Sequence, residues 1–309
     1  MSSESFVNYQ GAIQPKGFMP LPEDWTSEVD TLITEDGKAQ LFSVLHHQKN
    51  WKNPRALIIV HGLGEHGGRY LHFPHYLKEV IGAVYIVDLR GHGRSNGTKG
   101  FIEEFDLYAD DVALAIRKLN ERLKLVFKSS EIHLLGHSMG GLIVLRSLLK
   151  YSDLPLYSAA VSAPFMGIAA KAPAAKKAAA HVLSKIWGSL HMSTGLDASH
   201  ISHDAEVVAA YTSDRLVHDK ITPKLFTELL RVFDDTKSRS NGIPYALQFM
   251  IPLEDKIVDS HVSMEFAKDL SNPDKNLITY EGFYHEIFNE MGKEKVFGDL
   301  ISWIKKHHA

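Results

Sequence analysis

The sequence predicts an α/β fold: a mostly parallel, doubly wound sheet, opened by an antiparallel hairpin and interrupted after the sixth strand by a helical cap. Three observations carry that expectation. Short apolar runs without alternation recur along the chain, as strands buried on both faces require. Stretches with helical spacing separate them, the alternation that builds a layered α/β sheet. Ahead of both stand two alternating runs joined by Glu35-Asp36-Gly37, and Asp-Gly between β-prone runs signals a hairpin.

Residues 1–26, with Pro15, Pro20 and Pro22 and little periodicity, read as an arm along the surface. The hairpin runs are residues 29–34 and 39–46, and they open a first core part spanning 27–164. Its strand-like runs are 56–60, 83–87, 132–135 and 159–161, with helical spacing over 70–80, 107–119 and 142–149. From 165 to 221 no strand-like run occurs, only Ala/Lys-rich and polar helical sequence. That is too long for a loop in a compact domain, so it reads as an inserted cap. The second core part, 222–309, carries strands at 245–251 and 277–280 and helices at 223–232, 262–270 and 296–304.

Composition narrows the function. The 309 residues hold 34 Lys+Arg against 37 Asp+Glu, a net charge of −3, which leaves no electrostatic footprint for nucleic acid. The absence of cysteine removes disulfides, thiol nucleophiles and Cys-based metal sites together. The N-terminal residues carry Glu4 and no apolar core of a secretory signal, and no apolar run approaches the ~18 residues of a membrane span. The chain therefore reads as cytoplasmic by default. Its 18 histidines invite a metal site, but there is no His-Glu-x-x-His. The close pairs His46/His47, His72/His75, His200/His203 and His307/His308 lack a clustered carboxylate in a helix context. No metal and no cofactor is expected, and most histidines are expected in loops and on surfaces.

The pattern Gly-x-Ser-x-Gly marks a serine on a sharp strand-to-helix turn. It occurs twice, at Gly93-Arg94-Ser95-Asn96-Gly97 and at Gly136-His137-Ser138-Met139-Gly140. Ser138 follows a buried strand and precedes an apolar helix, whereas Ser95 sits in a glycine-rich stretch with no helix behind it. Ser138 is therefore the candidate nucleophile and Ser95 a loop residue. An alcohol needs a base to take its proton, and hydrolases built on this turn run Ser, acid, His along the chain. Asp255 follows a late strand, with Glu254 as its competitor and Asp259 as a helix cap. His285 follows the next strand, while His261 falls on the intervening helix and His307 and His308 in the tail. The oxyanion needs two N–H donors, expected from Met139 at the helix N-terminus and from Leu63 in His61-Gly62-Leu63-Gly64.

Together these residues resemble the monoacylglycerol lipase and lysophospholipase branch of the α/β-hydrolases. The resemblance runs through His61-Gly62-Leu63-Gly64-Glu65-His66 with Arg69-Tyr70, and through Asp88-Leu89-Arg90-Gly91-His92-Gly93 with Ser95. It continues in Gly136 to Gly141, in Asp255-Lys256-Ile257-Val258 and in Glu281-Gly282-Phe283-Tyr284-His285. It implies the α/β-hydrolase fold, the same oxyanion loop, nucleophile, acid and base, and a single-chain lipid ester as substrate. Thioesterase, acyltransferase or peptidase chemistry on the same serine, and a silent fold used for binding, are the alternatives. The segment from Glu206 to Asp214 resembles the place where the family's cap returns to the core. Pro252 stands where the family usually has a glycine before the acid.

In the cap, residues 173–190 put Ala175, Ala179, Val182, Ile186 and Leu190 on one helical face, with Leu183 and Trp187 beside it. Lys176, Lys177, His181 and Lys185 lie elsewhere on that helix. Such a face either packs on the core and lines an acyl pocket, or rests transiently on an anionic membrane surface. The second outcome would make the protein peripheral to a membrane.

Overall fold

A computed structural model describes residues 20–167 and 181–308. The main sheet contains β1 (Trp25–Ile33), β2 (Gln40–Gln48), β3 (Arg55–Val60), β4 (Ala83–Val87), β5 (Glu131–His137) and β6 (Ser158–Ser162). After the cap come β9 (Leu247–Pro252) and β10 (Lys275–Tyr280); the cap itself holds a separate antiparallel pair, β7 (Met192–Ser193) and β8 (Lys220–Ile221). The sheet order is β1-β2-β4-β3-β5-β6-β9-β10. β2 pairs antiparallel with β1 and with β4, and every later pair is parallel.

Alternation within each central strand divides the core. Ile58 and Val60 of β3 face one layer with Phe105, Ile116, Leu142 and Leu145, while Leu57 and Ile59 face the other with Phe73, Leu77, Phe297 and Trp303. Period-two side chains on a sheet covered on both sides produce this split. It also explains why β3, β4, β6 and β9 read as continuous apolar runs. The first layer is roofed by α2 (Asp106–Phe127), α3 (Met139–Lys150), α5 (Pro223–Ser238) and α6 (Ser260–Asp269). The second is roofed by α1 (Phe73–Leu77) and α7 (Lys293–Lys306), and α4 (Ala205–Ser213) belongs to the segment before β8.

Three elements depart from the sequence expectation. The helix expected over 70–80 is a 3₁₀ turn, Gly67–Tyr70, followed by the five-residue α1, which starts where Pro74 fits the first helical turn. α2 runs to Phe127 and ends on Lys128 at φ 61°, so its last turn lies beyond the apolar stripe and leaves Leu125 82% exposed. The cap contains the β7–β8 pair, whose two-residue strands are too short to show any period. Of the cap helix expected over 173–190, residues 181–186 are helical, and positions 168–180, including Ala175, Ala179, Lys176 and Lys177, lie outside the described residues.

The histidines also depart from expectation. His46, His61, His66, His72, His92, His133, His137, His218 and His285 are buried, half of the 18 in the chain. Surfaces therefore hold only half of them, while loops and turns, as expected, hold six of the nine buried ones. His46, His133 and His137 occupy strand positions and the other six loop interiors, and eight of the nine have a backbone or hydroxyl partner, such as Ser158 for His133 (2.8 Å) or Leu89 N–H for His61 (2.9 Å).

Candidate active site

The four sequence-predicted loops meet at the carboxyl ends of β3, β5, β9 and β10, the edge at which open α/β sheets bind ligands. Ser138 joins β5 to α3 with φ 53° and ψ −120°, a strained backbone for a residue with a side chain. The turn closes because its flanks are glycine: a Cβ on Gly140 would lie 2.1 Å from the Val60 carbonyl oxygen, and one on Gly136 2.4 Å from that of Gly140. The Ser138 N–H donates to Ser162 O (2.9 Å), and Ser138 O accepts from Gly141, Leu142 and Phe165. Met139 N–H stands at the first position of α3, where helix N–H groups have no partner within the helix.

Ser95 is held by its own bonds. Its hydroxyl donates to Asp88 O (2.5 Å) and accepts from Phe42 N–H (2.8 Å), which staples the loop after β4 to β2.

His285 and Asp255 are brought together, with Nδ1 and Oδ2 2.6 Å apart and both side chains buried. The other carboxylate oxygen of Asp255 accepts the N–H groups of Ile257 (2.8 Å) and Val258 (2.9 Å). Glu254 is exposed; its N–H donates to Phe283 O (3.2 Å), and Leu253 N–H to Tyr280 O (2.9 Å). These two bonds fasten the acid loop to the base loop. Pro252 closes β9 beside Tyr280, at a strand end where its missing N–H costs nothing. Asp259 caps α6 by accepting from His261 and Val262 N–H, and His261 sits on that helix.

Burial disfavours the charged form of His285, but the carboxylates of Asp255, Glu286 and Glu65 outweigh it and hold its pKa above the ordinary value. Burial likewise pushes the Asp255 carboxyl up, and the imidazole with the two backbone N–H groups brings it below its usual range. His137, with its ring centroid 4.8 Å from that of His285, is held neutral by burial, its pKa lowered to about 4.

The loop after β3 is fixed from several sides. Leu89 N–H can only donate, so His61 Nε2 accepts from it (2.9 Å), and Nδ1 carries the proton donated to Gly62 O (2.8 Å). Because the Gly62–Leu63 peptide is planar and trans, anchoring that carbonyl turns the Leu63 N–H to the opposite side. Gly62 N–H donates to Glu65 Oε1 (2.6 Å), and Gly64 O accepts from His218 N–H (2.8 Å) of the segment leading to β8. The stretch that resembles the cap's return meets the same loop, with Asp214 Oδ2 3.0 Å from His66 Nε2 and the Tyr211 ring 4.8 Å from the Arg69 guanidinium.

These loops surround a cavity of about 630 Å³ lined by Leu63, Ser138, Met139 and His285. Phe165, Leu183, Met192, Leu196, Phe226, Leu229 and Phe233 supply apolar wall, and Glu65, Tyr211, Glu286 and Lys256 polar groups. Among the described residues, no group of three or more His, Asp or Glu side chains is arranged to hold a metal. Sequence reasoning assigned no task to Arg69, Tyr211 or Glu286. The available signals were Arg69 in a motif already singled out and Glu286 beside the base.

A strand-borne serine elbow, an acid–imidazole pair after the last two strands and this sheet order define an α/β-hydrolase. A family model described as serine aminopeptidase, S33, matches residues 52–292, and the chain belongs to that family. Within it the chain lies in the monoacylglycerol lipase and lysophospholipase branch, a carboxylic-ester hydrolase. A monoacylglycerol lipase of Mycolicibacterium smegmatis is 31% identical over 266 residues, 82% of this chain and 90% of that protein. Phospholipase YtpA of Bacillus subtilis is 29% identical over 256 residues, 80% of this chain and 95% of that one. An abhydrolase domain-containing protein of Dictyostelium discoideum is 31% identical over 91% of this chain, which spans 29% of its length. Among solved structures, the Paleococcus ferrophilus monoacylglycerol lipase superposes with a TM-score of 0.75 at 28% identity, covering 87% of this chain and 99% of that one.

Proposed function

We propose that the chain hydrolyses the ester of a single-chain lipid, a monoacylglycerol, through an acyl-enzyme on Ser138. The observation that carries this is the cavity: apolar side chains and a few polar groups enclose one serine beside a buried acid–imidazole pair. Ser138 Oγ attacks the ester carbonyl while His285 takes its proton, and the resulting oxyanion accepts from the N–H groups of Met139 and Leu63. Collapse breaks the C–O bond to glycerol, whose oxygen takes the proton from His285. Water, deprotonated by the same imidazole, then adds to the acyl carbonyl, releasing the fatty acid and restoring Ser138. Asp255 holds the imidazole tautomer with its proton on Nδ1 and stabilises the cation formed at each step.

A neutral glycerol head suits these polar groups better than a phosphate. Arg69 is fully engaged with Glu65 and Glu286, and Lys256, the one Lys or Arg among the described residues lining the cavity, is turned to Tyr284 Oη (2.6 Å). A phosphate would face the carboxylates of Glu65, Asp197 and Glu286. A panel of monoacylglycerol, lysophospholipid and triacylglycerol tests the assignment. Monoacylglycerol is expected to give the highest kcat/KM by about tenfold or more, and a preference for either other class overturns it.

Substrate is collected through the exposed apolar face of the cap. Val182, Ile186, Trp187 and Leu190 are 55%, 64%, 64% and 48% exposed, and Leu183 beside them lines the cavity. This supports transient contact of the cap with a membrane surface, making the protein peripheral to it. Among the described residues no helix is long and apolar enough to cross a membrane. Ile186→Ser with Trp187→Ser is expected to abolish co-flotation with anionic vesicles while leaving hydrolysis of a soluble short-chain ester intact. Undiminished flotation would refute the contact.

A further inference from the structure

We infer that Arg69 and Glu286 are positioning residues, a buried charge bridge that ties the loop bearing the Leu63 donor to the loop bearing His285 and sets the field in which that base works. The inference rests on Ser138, Asp255 and His285 acting as proposed above. Arg69, from the 3₁₀ turn after β3, is 8% exposed; Glu65 and Glu286 are 4% and 5% exposed. Its Nη1 donates to Glu65 Oε2 (2.8 Å) and to Glu286 Oε1 (2.7 Å), and its Nη2 to Glu286 Oε2 (2.8 Å).

Each carboxylate is held again on the side of its own loop. Glu65 Oε1 accepts from Gly62 N–H (2.6 Å) and Tyr70 Oη (2.9 Å), so the peptide preceding the Leu63 donor is fixed through it. Glu286 Oε2 accepts from Asn289 Nδ2 (2.9 Å), and the Glu286 N–H donates to Ile201 O (2.8 Å), fixing the residue next to His285. A bridge of this kind is costly to bury and worse to break at its centre, because loss of Arg69 leaves two carboxylates unpaired in a low-dielectric interior. Its position between two catalytic loops, rather than between two distant elements, gives that cost a purpose. The donor and the base must keep one relative geometry as charge moves between them.

Two carboxylates against one guanidinium leave one negative charge beside the imidazole. The groups facing His285 are Asp255 from the loop after β9, Glu286 on its own loop, Glu65 and Arg69 from the loop and turn after β3, and His137 at the end of β5. His137 is uncharged, so the carboxylates favour the imidazolium, and the positive charge of Arg69, held against Glu286, works against them. Removing the charge of Glu286 therefore lowers the His285 pKa, and removing that of Arg69 raises it.

The test is the pH dependence of kcat/KM on a soluble short-chain ester, and of the rate of fluorophosphonate labelling, in the full chain. In Glu286→Gln, whose amide oxygen still accepts from Arg69, the acid limb is expected to move to lower pH by about one unit, with kcat reduced about tenfold and KM little changed. In Arg69→Met the limb is expected to move the opposite way. Opposite shifts from two halves of one bridge are a signature that a general loss of structure does not give. An acid limb in Glu286→Gln unmoved within about 0.2 unit, or shifted upward, overturns the inference. That variant decides alone if Arg69→Met does not fold. Ser138→Ala separates the two readings: an adduct that persists there sinks the triad, whereas an adduct lost there beside an unmoved limb sinks only the bridge.

Discussion

Lowering the pH from 7.5 to 5.0 should cost this protein an unusual share of its stability, because so many of its histidines are folded away neutral. Burial lowers the pKa of His46, His72 and His133 to about 3 and that of His137 and His218 to about 4. In the unfolded chain each titrates near 6.5, so between those values the unfolded state binds more protons. The contribution of each is complete above pH 6.5 and drains as the pH falls toward its folded value, at about 1.4 kcal/mol per pH unit. At pH 5.0 each of the five has lost about 2 kcal/mol. His285 and Asp111 run the other way: carboxylates raise the first, and burial raises the second to about 6. Burial lowers His61 and His92 as well and adds to the loss, so the net is an acid-side loss of roughly 5 kcal/mol or more, which for a chain of this size lowers Tm by roughly 8 °C or more. Thermal unfolding followed by circular dichroism at the two pH values reads this directly. Replacing His133 by Gln, which can still bond Ser158 and cannot titrate, should remove roughly a fifth of the five-histidine loss. A Tm that falls by less than about 2 °C between the two conditions would refute the reasoning.

Other expectations follow from single contacts. Asp255→Asn should keep the fold and lower kcat about 10⁴-fold with a small change in KM, since the amide favours the wrong imidazole tautomer. Glu254→Gln, at an exposed side chain, should stay within about twofold of wild type, and steady-state kinetics of both variants checks the assignment. Gly140→Ala drives a Cβ to 2.1 Å from the Val60 carbonyl oxygen, so it should destabilise by about 2–4 kcal/mol in urea titration and abolish labelling of Ser138. Ser95→Ala breaks two hydrogen bonds between the loop after β4 and β2, costing about 1–2 kcal/mol, while fluorophosphonate labelling persists.

The sheet was legible because its central strands are buried on both faces. β4 runs over residues 83–87 as read from the sequence, and β3 differs by one residue. The elbow at Ser138 was legible for a local reason: glycines on both sides, a buried strand before it and an apolar helix after it. Asp255 was harder to separate from Glu254, because adjacent carboxylates differ only in which way the loop turns them. That direction comes from the Leu253–Tyr280 and Glu254–Phe283 backbone bonds, which no local pattern encodes. The histidines misled for the opposite reason. A polar residue in an apolar run reads as exposed, yet His46, His133 and His137 sit inside strands because neutral imidazole finds a hydroxyl partner across the sheet or between strands. The Arg69 bridge was illegible because its partners stand four and 217 residues away, joined only by the fold.

Of the two Gly-x-Ser-x-Gly serines, Ser138 is the one expected to carry the acyl group. Incubating the protein with a fluorophosphonate and mapping the modified peptide by mass spectrometry tests it most directly. One adduct is expected, on Ser138, absent from Ser138→Ala and retained in Ser95→Ala. An adduct on Ser95, or one that survives the loss of Ser138, would contradict it.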